Sequence, residues 1–181
     1  MLPKEWIAQL FGIAAMVLNI LSYQGKKQRT VIAMQLFGGA LFAANFLMLG
    51  ATVGGVLNIL AVFRALLFLN KEKVKADSPI WLAVFICCFV AVYVLNFTLW
   101  GKEVTAFNLI LEILPVIGMT ALSVGFRMKN AAAIRKLGLI SSPAWLIYNI
   151  SVGSWGATLC EAFTLLSIFI GMLRHDKNPA K

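Results

Sequence analysis

The chain has 181 residues, 61% of them hydrophobic and 13% charged, with a formal net charge of +9 and mean hydropathy +0.87. Soluble domains carry about 45–50% apolar and about 25% charged residues, so this composition excludes a water-soluble fold around one buried core. The apolar runs are long and lack strand-like alternation, which excludes a barrel and requires helices that satisfy their own backbone hydrogen bonds in lipid.

Seven apolar stretches follow in order. The first, 5–23, comes after Pro3-Lys4-Glu5, which is barely basic, and no small-x-small cleavage site precedes the next loop, so it is expected to be retained. Lys26, Lys27 and Arg29 lead into the second stretch, 30–50, which is joined to the third, 52–69, only by Gly50 and Ala51. Lys71, Lys73 and Lys75 come next. Asp77 and Ser78 before Pro79 make a helix start for the fourth stretch, 79–99. The fifth, 105–125, is followed by Arg127, Lys129, Arg135 and Lys136 around the start of the sixth, 134–152. The seventh, 155–173, ends at Arg174, Lys177 and Lys181. Each stretch fits the ~17–25 residues that a membrane-crossing helix needs.

Basic residues alternate along these connections. With Arg64 near the end of the third stretch, 14 of the 16 Lys and Arg fall on one side, against Lys4 and Lys102 on the other. Basic residues stay cytoplasmic, so the expected topology is seven spans with the N-terminus outside and the C-terminus inside. Trp6, Trp100 and Trp155 then lie at outer helix ends and Trp81 at an inner one, as interfacial aromatic rings prefer.

The loop pattern repeats. Spans 1–3 (5–69) and spans 5–7 (105–173) each show a basic loop, a very short uncharged loop and a basic exit. Ser22 corresponds to Ser123, and Gly50-Ala51 to Gly153-Ser154 at an offset of 103 that also pairs Asn58 with Glu161 and Lys71 with Arg174. Span 4 returns the chain so that both units share one orientation. The expected fold is therefore all-α, in one transmembrane domain arranged 3+1+3. Parallel repeats of this kind recur in transporters.

Polar groups inside spans are costly and usually face the bundle interior. Glu112 and Glu161 each lie about seven residues into a span entered from outside, roughly 10 Å deep at 1.5 Å per residue. Asn58 reaches a similar depth, and Asn45 and Asn149 approach it from below. These five residues are expected to form one polar layer. Glu112, Glu161 and Asn58 are candidate solute or proton ligands; the alternative is that they pin helices together by hydrogen bonds. Arg64 reads as an inner-leaflet anchor or an ion-pair member, its long stem able to snorkel. Pro115 and Pro143 each remove a backbone hydrogen bond and are candidate hinges or static kinks. Cys87, Cys88 and Cys160 lie in apolar runs and His175 stands alone in the tail, so no metal or disulfide pattern is expected, and no cofactor.

The runs Glu112-Ile113-Leu114-Pro115-Val116-Ile117-Gly118 and Gly153-Ser154-Trp155-Gly156-Ala157-Thr158-Leu159-Cys160-Glu161 resemble segments of the bacterial YgjV inner-membrane protein family. The pattern from Phe46 to Gly50, through Asn58 to Arg64, is also similar to that family. The resemblance implies a bacterial inner-membrane protein and brings no catalytic residues. A more distant likeness is to the PQ-loop and SWEET transporter superfamily, which implies the 3+1+3, N-out plan. Tyr23-Gln24 stands where that superfamily has Pro-Gln, and Glu161 where a second asparagine is expected.

The function expected is that of a small-polar-solute permease, proton-linked through a glutamate and embedded in the lipid bilayer. Nucleic acid is not an expected partner, and a homo-oligomer is left open. The alternative is a non-transporting receptor or assembly protein. An enzyme is not expected, since no nucleophile–base or metal-ligand constellation is visible.

Overall fold

The computed structural model describes residues 3–49, 52–128, 130–151 and 155–176. Gly50, Ala51, Lys129, Gly153, Ser154, Lys177 and Lys181 lie outside them, as do the side chains of Lys4 and Trp155. All regular elements among the described residues are helices: α1 (Pro3–Ser22), α2 (Gln28–Met48), α3 (Thr52–Leu69), α4 (Lys71–Val74), α5 (Pro79–Thr98), α6 (Ala106–Arg127), α7 (Ala131–Ser151) and α8 (Trp155–His175). The seven long ones coincide with the seven apolar stretches to within three residues at either end. The basic segment after the third stretch is a single helical turn, α4, where the sequence suggested a loop; Lys-Glu-Lys is a good helix-forming run. It stops at Lys75, whose φ of 49° is left-handed.

Local chemistry sets the ends. Ser78 Oγ accepts from the Ile80 amide with Pro79 in the first turn of α5. Thr105 Oγ1 accepts from Asn108 N at the start of α6, and Asn130 Oδ1 accepts from Ala133 N at the start of α7. These caps replace the partners that a helix N-terminus lacks. Gly101, at φ 71°, turns the chain between α5 and α6.

The helices form a closed circuit. α1 packs on α2 and α2 on α3; α6 packs on α7 and α7 on α8; α1 meets α8 and α3 meets α6, while α2 also touches α7. α5 lies against α3 and α6, where Phe85, Phe89 and Val92 pack on Leu57, Val116 and Met119. A second apolar cluster, around Tyr23, Ile32, Phe68, Phe126, Ile134 and Ile168, fills the end of the bundle that carries the basic loops.

Burial is inverted relative to a soluble protein. Leu10, Ile13, Val17 and Leu21 leave one stripe of α1 exposed, and Leu159, Phe163, Leu166 and Leu173 do the same on α8. Inside lie Asn45, Arg64, Glu112, Ser123, Arg135, Ser141, Ser142, Asn149, Thr164 and Ser167. An apolar exterior around a polar interior is what a lipid solvent selects. Four helices (Gln28–Met48, Pro79–Thr98, Ala106–Arg127 and Ala157–His175) are long and apolar enough to cross a membrane, and Trp6–Ser22 and Val53–Leu69 are shorter apolar helices. α7 is more polar because Arg135, Lys136, Ser141, Ser142 and Asn149 lie along it.

Candidate functional site: a polar cavity between two helix triplets

A cavity of about 100 Å³, measured as the space open to the centre of a water molecule, lies where α1–α3 face α6–α8. One water needs roughly 10–15 Å³ on that measure, so the space suits a few waters or a small solute. Its wall carries many polar side chains. Asn19, Tyr23, Gln35, Arg64 and Ser141 line it together with Asn58, Ser142, Asn149 and Glu161. Phe42, Phe46 and Trp145 add aromatic surface.

The lining has an internal order. Asn58 on α3 and Glu161 on α8 are separated by 103 positions, and so are Gly39 and Ser142, Phe42 and Trp145, Phe46 and Asn149, and Asn19 and Leu122. The helix crossings obey the same spacing. A Cβ on Gly38 would meet the Ala15 carbonyl between α1 and α2; the pair shifted by 103 positions, Gly118 with Ser141, also meets, a Cβ on Gly118 touching Ser141 Oγ between α6 and α7. The seams agree as well. Arg64 Nη1 donates to Ser123 Oγ across α3 and α6, and Ser167 Oγ donates to the Ile20 carbonyl across α8 and α1.

Two ionisable side chains line the cavity's inner wall without an ion-pair partner among the described residues. Arg64 is 3% exposed; its Nη1 donates to the Met119 carbonyl at 2.9 Å and Ser123 Oγ at 3.1 Å, its Nε has no hydrogen-bond partner, and its guanidinium sits 4.7 Å from the Phe126 ring centre. The stem does not snorkel to the lipid boundary, because α6 offers those acceptors closer in. Glu161 is half-buried, with its carboxyl hydrogen-bonded to the Ser142 hydroxyl.

The remaining candidates divide between the cavity wall and the helix contacts around it. Of the five polar residues, Asn58, Asn149 and Glu161 line the cavity, and Asn45 and Glu112 do not. Glu112 is absent from the cavity wall: Lys102 Nζ lies 3.1 Å from its carboxylate and the Tyr148 hydroxyl bonds it. Lys102 comes from the turn after α5, close to the start of α6, so it reaches Glu112 within one helical stretch. Asn45 Nδ2 donates 2.7 Å to the Ala8 carbonyl and packs on Gly12, fastening α2 to α1. Asn58 lines the cavity and bonds the Gly54 carbonyl of its own helix. Pro115 and Pro143 lie within helices that continue through them. Sequence reasoning missed Asn19, Gln35, Ser141 and Ser142; their signal was that each is a polar residue within an apolar run.

At the basic end, Arg135 joins three segments. It contacts the Asp176 carboxylate through Nε (3.1 Å) and Nη2 and donates from Nη1 to the Gly25 carbonyl. Gln24 Nε2 donates to the Ser167 carbonyl and Oγ at 2.7 and 2.8 Å, and Gln28 Nε2 to the Phe126 carbonyl at 3.0 Å and to that of Met128. The first loop is thus tied to both α7 and α8. Among the described residues no cluster of three or more His, Cys, Asp or Glu could hold a metal ion.

An apolar exterior around an interior cavity lined by polar side chains defines a multi-pass helical membrane protein. Residues 6–179 match the Imp-YgjV family, described as bacterial inner membrane protein, and the chain belongs to that family. It is 26% identical over 170 residues to the inner membrane protein YgjV of Escherichia coli (strain K12), covering 93% of this chain and 84% of that protein. No solved structure matches it. The protein resides in the bacterial inner membrane.

Proposed function

We propose that this protein is an inner-membrane permease for a small polar solute, working by rocking of two parallel three-helix units, α1–α3 and α6–α8, about the central cavity. α5 is the linker that returns the chain, and the spans number seven, with the N-terminus outside and the C-terminus inside. The observation that carries the reading is the 103-residue pairing of the cavity wall, since one repeat then supplies each half of a shared site. Contacts at the two seams obey the same spacing, which supports a pseudo-two-fold axis along the membrane normal. The gathering of the basic loops at one end supports the orientation. Solute contacts fall to Asn58 and Glu161, and Glu161 is the group placed to carry a coupled proton. Pro115 and Pro143 are the hinge candidates, each leaving a carbonyl one turn earlier without its helical amide.

The test is uptake into proteoliposomes from a panel of sugars, nucleosides and amino acids, with and without an imposed proton gradient. Wild type is expected to move at least one panel member, and Glu161→Gln to lower that rate at least tenfold. If no member moves under either condition, transport is the wrong activity for the bundle.

A further inference from the structure

The two halves of the cavity match in position but not in charge. Asn58 on α3 is neutral where α8 carries Glu161, and Ser167 on α8 is neutral where α3 carries Arg64. One unit therefore supplies a cation and the other a carboxyl, and each occurs once in the chamber. The ion pairs among the described residues, Lys102–Glu112 and Arg135–Asp176, involve neither group. Arg64 follows Asn58 by six residues, roughly 9 Å of helix rise. On α8, which enters from the same side, Glu161 holds the register of Asn58. The charges are thus staggered along the cavity instead of closing on each other.

Each charged end also has fitting surroundings. The hydrogen bonds of Arg64 to protein acceptors run through Nη1 alone, its Nε is buried without a partner, and the residue lines the cavity wall. A guanidinium with unspent donors on a cavity wall can bind a carboxylate through charge-assisted hydrogen bonds. Towards the other end, Phe42, Phe46 and Trp145 share the wall with Glu161. Aromatic faces beside a carboxyl attract an ammonium group. Asn19, Gln35 and Ser141 bring further polar groups to the wall.

We propose that the cavity binds a small zwitterion in one orientation, its carboxylate on Arg64 and its ammonium group between Glu161 and the aromatic rings. This deepens the permease reading by naming the substrate class, and it rests on the same cavity being the solute site. A neutral sugar would leave both charges unmatched. A simple anion or a simple amine would leave one of them so.

The experiment is a binding titration of the wild-type protein in lipid nanodiscs, read by calorimetry and by intrinsic tryptophan fluorescence, to which Trp145 in the cavity wall contributes. The probes are glycine, alanine and glycine betaine as zwitterions, propionate as the carboxylate alone, ethylamine as the ammonium alone, and glycerol and xylose as neutral solutes. At least one zwitterion is expected to saturate with a Kd at least tenfold below those of propionate and ethylamine. Arg64→Gln is expected to erase the advantage over ethylamine, and Glu161→Gln the advantage over propionate. The wild-type comparison stands alone should either variant fail to fold. Absence of saturable binding by all three zwitterions, or binding no tighter than that of xylose or propionate, overturns the assignment. If xylose or glycerol binds and is taken up into proteoliposomes, the permease reading survives without the zwitterion. If a zwitterion binds with the stated preference but is not taken up, the ligand class stands and transport falls.

Discussion

Glu112 and Glu161 look alike in the sequence, each about seven residues into a span, yet their environments separate their roles. Glu161 faces the chamber. Glu112 is 4% exposed at its side chain, with Lys102 at 3.1 Å and the Tyr148 hydroxyl as partners, and it fastens the start of α6 to the preceding turn and to α7. Removing one member of a buried ion pair typically costs about 3–5 kcal/mol. Lys102 is about a third exposed, so solvent offsets part of that loss. Lys102→Met is therefore expected to lower stability by roughly 1–3 kcal/mol, seen as a drop in the apparent melting temperature. The double variant Lys102→Met/Glu112→Gln should recover at least half of the drop, because a neutral amide no longer needs the cation. Glu112→Gln alone should keep solute uptake within about threefold of wild type. A loss matching that of Glu161→Gln would place Glu112 on the transport path despite its position. The sequence placed both carboxyls within apolar stretches, but it could not assign Lys102 to one of them, because that depends on how tightly the chain turns at Gly101.

At the scale of helices, a hydropathy pattern carries the elements and their boundaries, since seven stretches of lipid-compatible length leave little choice of backbone. Packing depth was not legible. Tyr23, at the end of α1, docks between α7 and α8, where a Cβ on Gly138 would lie 3.0 Å from its ring and a Cβ on Gly171 would overlap its carbonyl oxygen. Neither glycine is marked out by its neighbours in the sequence; both are explained by a residue more than 100 positions away. Backbone cannot yield as a flexible side chain does, and overpacking a tight contact typically costs about 1–3 kcal/mol. Gly171→Ala is expected to cost at least the upper part of that range, measured as a fall in apparent melting temperature in detergent. Gly39→Ala is the control. Its Cβ would stand 3.6 Å from Val62 in ordinary contact, and a helical alanine is favoured over glycine by roughly 0.5–1 kcal/mol. Its melting temperature should hold or rise. Equal losses at both positions would mean that the Tyr23 dock is looser than drawn.

For the whole molecule, rocking makes a mechanical demand. The seams between units, α1 with α8 and α3 with α6, must slide while the contacts within each unit persist. The α1–α8 seam offers a direct handle, since the Cys160 thiol lies in hydrogen-bond contact with the Asn19 side chain, which also donates 3.1 Å to Thr164 Oγ1. In a Cys87→Ser/Cys88→Ser background, Asn19→Cys therefore brings a second thiol to Cys160 across the seam. Oxidation is expected to lower solute uptake at least tenfold, with recovery on reduction. Two controls separate locking from obstruction. Capping the introduced thiol with a methylthio group adds comparable bulk to the cavity without joining the helices. A cross-link within one unit, made by Ala8→Cys with Asn45→Cys in a background where Cys160 is also serine, joins positions that already hydrogen-bond at 2.7 Å. Rocking predicts that this intra-unit link leaves uptake within about threefold, because α1 and α2 move as one body. If the seam link and the methylthio cap inhibit equally, blockage of the chamber explains the loss. If the seam link leaves uptake intact, the two triplets do not move against each other, and the solute must pass by a rearrangement of single helices such as those carrying Pro115 and Pro143.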